Sequence, residues 1–294
     1  MTFVESRAFP NSDLPMTAPY LFSRTWTSFH PARTLRLSIL LAAGTLSLVA
    51  CGDDYGDAIA PVPSAPSPTV LVASGDLTAR VAEFRTLLGE PSNGATAGQQ
   101  ATGRREVSWD GAGARPFNNR NDFPADFFNT TARNGVVFNT PGTGFRNDST
   151  LFVELDASNA TEFRTFSPTQ LFAPVGSPVM DVQFRVAGAP TPASVTGFGV
   201  VFSDVDRAGS ARVEAFDATG RSLGRFDAPV RSDSTGLSFV GFRFTQAIVA
   251  RVRITSGTAA IAAGMRDVTS GGTADLVTMD NFIFGEPTAL PTGT

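Results

Sequence analysis

Carboxylates carry most of the chemistry open to this chain. Asp204 and Asp206 stand two apart in Phe202-Ser203-Asp204-Val205-Asp206, so in an extended segment both point to one side. A hard cation accepts carboxylate and carbonyl oxygens alone, which makes calcium the cofactor such a pair suits and makes both aspartates candidate metal ligands. The competing reading is of strand-end turn residues bonded to nearby backbone amides. A glycoside hydrolase needs only two carboxylates at a suitable separation, so this enzyme class also fits the side chains present. No pair is singled out for it, and no catalytic residue is assigned.

Composition removes most other mechanisms. His30 is the only histidine, Cys51 the only cysteine, and all 23 basic residues are arginine. Since His30 precedes the cleavage point placed below, the mature chain has neither histidine nor lysine. Ser-His-Asp and Cys-His catalysis, histidine-ligated zinc and lysine Schiff-base chemistry are therefore closed to it. Without residues 1–50 the chain keeps 19 basic and 25 acidic groups, a net charge of about −6, which argues against a nucleic-acid partner.

A basic stretch with Arg33 and Arg36 precedes an apolar run over residues 37–50, followed by Cys51 and Gly52. Fourteen residues are too few to span a bilayer as a helix. Leu48-Val49-Ala50-Cys51 resembles the lipobox of bacterial lipoproteins, in which the cysteine receives lipid and the chain is cut before it. The resemblance implies a signal peptide and leader over 1–50, with Met16 a candidate true start, and membrane attachment at Cys51. More than one acyl chain gives stable anchoring. Gly52 after the cysteine, by resemblance to lipoprotein sorting rules, points to the outer membrane of the cell envelope rather than the inner. Residues 51–69 read as an acidic, then Pro-rich, extended tether.

Leu77, Val81, Phe84 and Leu88 recur at helical spacing, with Ser74 or Asp76 able to cap the start and Gly89 and Pro91 stopping it. The spacing predicts a helix on the domain rim, followed by a flexible loop over 91–103, so that 70–103 forms one segment. From Arg104 the apolar period becomes two, as in Phe198, Val200 and Phe202 or Val252 and Ile254. Phe216 and Leu223 are expected to pair across a hairpin closed by Gly220. About ten such segments without helix alternation predict an all-β fold, a single β-sandwich over 104–286, jelly-roll-like in topology, with a disordered tail over 287–294.

The stretches Arg104-Arg105-Glu106-Val107-Ser108-Trp109-Asp110-Gly111, Pro124-Ala125-Asp126-Phe127-Phe128-Asn129, Gly135-Val136-Val137-Phe138, Thr140-Pro141-Gly142-Thr143-Gly144-Phe145 and Met279-Asp280-Asn281-Phe282 resemble a family of uncharacterised secreted bacterial proteins. The resemblance spans residues 104–286 and implies export and one β domain, with no activity attached. The closing strand also looks like that of jelly-roll carbohydrate-binding modules. By likeness to such jelly rolls, Asp280 and Glu106 join Asp204 and Asp206 as candidate calcium ligands. Between Phe117 and Phe128 four phenylalanines lie among amides and carboxylates, so Phe123, Phe127 and Phe128 are candidates for a ligand-binding loop; the alternative is that they plug the core. Trp109 is expected in the core. The combined reading is a lipid-anchored, non-catalytic binding or structural module whose partner is a glycan or an envelope protein. A carbohydrate-binding module and a carboxylate-only glycoside hydrolase stand as alternatives.

Overall fold

Alternating apolar residues between turn formers make strands, and their burial follows from what covers each face. The computed structural model describes residues 66–111, 115–231, 233 and 236–291. Met16, His30, Cys51 and the tether up to residue 65 lie outside them. The strands are β1 (Thr69–Gly75), β2 (Arg104–Val107), β3 (Val136–Asn139), β4 (Gly144–Asp148), β5 (Leu171–Val175), β6 (Val179–Phe184), β7 (Ala193–Ser194), β8 (Gly197–Ser203), β9 (Ala211–Phe216), β10 (Ser222–Asp227), β11 (Leu237–Arg243), β12 (Arg251–Ser256), β13 (Thr278–Gly285) and β14 (Thr288–Ala289). Among the described residues three α-helices accompany them: α1 (Thr78–Leu88), α2 (Phe127–Thr130) and α3 (Asn159–Glu162).

One sheet has the order β1-β11-β8-β13-β5-β4, with β2 also on β13; the other has the order β10-β9-β12-β6-β3. Within them, β5-β13-β8-β11 faces β6-β12-β9-β10, the strand order of a jelly roll. The expected all-β, jelly-roll-like sandwich is what forms. Strand β9 buries every second residue, as a half-covered strand should, whereas β8 and β13 are buried along their whole length. The reason is α1, which seals the outer face of their sheet: Leu77, Val81, Phe84 and Leu88 pack on Val201, Phe239 and Ile283. The helix therefore lies on a sheet face and not on the rim. Phe84 sits on a floor of two glycines, for a Cβ added at Gly199 or Gly241 would come within 2.6 or 2.7 Å of its ring.

Between the sheets the core is aromatic. Trp109 stacks on Phe172 at 3.7 Å between centroids and donates its indole N–H to the Asp280 carbonyl at 3.0 Å. Phe123, Phe127 and Phe128 are 3%, 4% and 7% exposed. Phe123 and Phe128 meet the indole edge to face, and Phe127 packs against both of them. The phenylalanine-rich stretch thus closes the core and presents no ligand loop through these three rings.

Three further expectations are adjusted. Residues 91–103 are held down, because the fully buried Arg105 guanidinium donates to the carbonyls of Gly94, Thr96 and Gly98. Arg105 also grips Glu286 through two 2.7 Å bonds. The domain is wider than 104–286, since β1 joins the large sheet and β14 pairs with β7. In the hairpin Gly220 takes a φ of 85°, but Ser222, not Leu223, stands opposite Phe216, and Leu223 falls at a bulge. Gly241→Ala should cost about 1–3 kcal/mol of unfolding free energy in urea by lifting Phe84 off the sheet. Phe84→Ala should cost about 3–5 kcal/mol. An unchanged midpoint for Gly241→Ala would show that α1 does not dock through this contact.

Candidate metal centre

Four chain segments meet at one end of the jelly roll, three turning acidic side chains inward and one an arginine. Helix α3, between β4 and β5, brings Glu162; the turn after β8 brings Asp204 and Asp206; the β10–β11 connection brings Arg231; the β12–β13 connection brings Asp267 and Asp275. Strand β8 ends at Ser203, so the two aspartates of the sequence motif converge by a turn and not by strand alternation. Asp204 has a φ of 72°, a region that Asp enters more readily than most residues, and this aims its carboxyl into the cluster.

Glu162 is buried, and Asp204, Asp267 and Asp275 are fully buried. Arg231 is the cation among them. Its Nη1 contacts Asp204 Oδ1, its Nε lies 2.7 Å from Asp206 Oδ1 and its Nη2 lies 3.8 Å from Glu162 Oε2. Other oxygens are met by neutral donors. Asp267 accepts from Thr269 N at 2.8 Å and Leu276 N at 2.7 Å; Asp275 Oδ2 accepts from Asp206 N at 3.2 Å and Arg207 N at 2.8 Å. Glu162 accepts from the Thr269 hydroxyl at 2.7 Å and from that of Ser270. Asp204 Oδ2 and Asp275 Oδ1 have no hydrogen-bond partner.

Burying so many anions shifts their protonation. Burial pushes Asp204 up to about 9 against the pull of Arg231. Burial and a hydrogen bond shared with Asp267 push Asp206 up to about 7. Asp267 responds the other way: burial alone would raise it, but the Thr269 and Leu276 N–H groups and the bond to Asp206 stabilise its ionised form. Oxygens of Glu162, Asp204 and Asp267 lie within 4.8 Å of one another, as do those of Asp206, Asp267 and Asp275. Either trio can surround a cation.

The other two sequence candidates sit elsewhere. Glu106 is gripped by Arg85, at 2.9 and 2.5 Å, and by Asn281 at 2.5 Å. Asp280 accepts from Ser167 Oγ at 2.7 Å and from the N–H groups of Phe166 and Ser167, and burial lifts its pKa to about 7. Each is absorbed by its own partners, so neither joins Asp204 and Asp206. Glu162, Asp267 and Asp275 escaped the sequence reading because they come from distant connections; the Asp267-Val268-Thr269 turn is a local signal, but one that marks a cap and not a ligand.

An open groove by the start of α1 is lined by Asp76, Arg164 and Asp233 among others. The Thr78 N–H and hydroxyl hold Asp76 below the usual carboxylate range, the opposite of what a general acid needs. Among the described residues no helix is long and apolar enough to cross a membrane. No protein-family model and no curated protein matches the chain. Among solved structures it is similar to the enzymatically active domain of tailspike protein 4 of bacteriophage CBA120, at 12% identity and a TM-score of 0.27. That match covers 55% of this chain and 20% of the tailspike chain, a likeness too distant to bear on activity.

In a chelator, folding stability should fall as pH rises. The folded chain keeps protons on Asp204 up to about 9 and on Asp206 and Asp280 up to about 7, whereas unfolded aspartates release theirs near 3.8. The stability of the protonated state is therefore complete below about 4 and is lost as pH climbs towards 9. Urea unfolding across this range should show the decline, and Asp204→Asn should flatten its part above about pH 7. A profile that rises with pH would contradict the burial of these groups.

Proposed function

We propose that the chain is a lipid-anchored protein of the cell envelope whose sandwich is a non-catalytic binding or structural module. The observation that supports this is where the reactive side chains lie. The carboxylates with raised pKa values, the ones a hydrolase would use as acids, are withdrawn from solvent and tie loops together: Asp204 pairs with Arg231, and Asp280 clips residues 166 and 167 to β13. A catalytic acid must reach substrate. Such a cluster fits a scaffold whose loops need fixing better than a reaction centre.

Anchoring is supported by the lipobox-like Leu48-Val49-Ala50-Cys51 and by the Pro-rich composition of the residues between Cys51 and β1, which suits a tether. The outer membrane is the expected address, with a glycan or an envelope protein as partner. The test is expression of the full chain in a bacterial host fed a labelled fatty acid. The native chain should carry label and sediment with membranes, whereas Cys51→Ser should lose the label and appear in the soluble fraction. An unlabelled native chain, or a Cys51→Ser variant that still sediments, would refute the anchor.

A further inference from the structure

The carboxylate end of the sandwich is short of positive charge. Among the described residues five acidic groups, Glu162, Asp204, Asp206, Asp267 and Asp275, face one guanidinium, Arg231, and when all are ionised the cluster carries four excess negative charges in a largely buried site. Buried charges persist where they are paired or coordinate metal.

One observation beyond the clustering points to a ligand. Asp204 Oδ2 and Asp275 Oδ1 belong to carboxylates that are fully buried, yet neither oxygen has a donor. One of these aspartates lies in each of the two oxygen trios, and Asp267 belongs to both. A buried acceptor without a donor costs desolvation energy that a cation would repay. From this geometry we infer that the cluster binds two calcium ions side by side, one held by Glu162, Asp204 and Asp267, the other by Asp206, Asp267 and Asp275, with Asp267 bridging them. Two divalent ions balance the four excess charges.

The donor set selects the ion. All ligands are hard oxygens, which suits calcium or magnesium over zinc. Magnesium demands near-octahedral geometry and keeps its waters, while calcium tolerates irregular carboxylate shells. A buried site built from converging loops therefore favours calcium. The site is independent of the lipid anchor, and neither claim falls with the other.

The experiment is a calcium titration of the purified full-length chain after chelator treatment, read by calorimetry for stoichiometry and by thermal unfolding for the midpoint. Two calcium ions per chain are expected, with a midpoint raised by roughly 10–20 °C at about a hundredfold excess over the dissociation constant of each site. Magnesium should raise it far less. Asp275→Asn should reduce the stoichiometry to one. As an asparagine here could impair folding, the native chain with and without chelator is compared first. The absence of calcium binding and of any midpoint shift would overturn the proposal. A stoichiometry of one in the native chain would overturn the bridged pair, and an equal shift with magnesium would overturn the choice of ion.

Discussion

A carboxylate removed from water must be met by a donor, a proton or a cation, and this constraint organises the two ends of strand β13. At its C-terminal end Glu286 is answered in full, because the buried Arg105 gives it two short bonds and spends its remaining donors on carbonyls of the 91–103 segment and on that of Arg133. At its N-terminal end Asp275 and Asp267 join Glu162, Asp204 and Asp206 around one arginine among the described residues, and negative charge is left in excess. Breaking a buried pair is costly because it strands one charge. The surplus at the second end is the same problem left open, and it marks the place in the domain where a ligand has most to gain.

The rest of the fold makes that place possible. A jelly roll gathers alternate connections at one end of its two sheets, so segments far apart in sequence come together there. The aromatic core around Trp109 and the sealing of the outer face by α1 fix the strands from which those connections spring. Rigid strands with functional loops is the usual division of labour in such scaffolds. Here the loops are stapled to one another through charge.

The period-two pattern made the architecture legible from Arg104 onward, since each strand must bury one face. Continuous burial of β8 and β13 depends on α1 covering the second face, which the spacing of Leu77, Val81, Phe84 and Leu88 alone does not reveal. The loop over 91–103 looked flexible because its composition is small and polar; what orders it is one arginine in β2. Asp204 and Asp206 were visible because they are neighbours in sequence. Glu162, Arg231, Asp267 and Asp275 were not, because only the closure of four connections brings them together. Glu106 and Asp280 were included by resemblance, and each found its partners among residues close to its own strand. The phenylalanine-rich stretch illustrates the same limit. Its composition fits a surface or a plug equally well, and only the position of Trp109 beneath it decides for the plug.

The proposed binding of cations by the cluster is tested most directly by anomalous diffraction from crystals of the full chain grown with calcium. Two anomalous peaks are expected roughly 4 Å apart, a spacing typical of bridged metal pairs, on either side of the Asp267 carboxylate. A clean difference map over Glu162, Asp204, Asp206, Asp267 and Asp275, with Arg231 alone facing them, would contradict it.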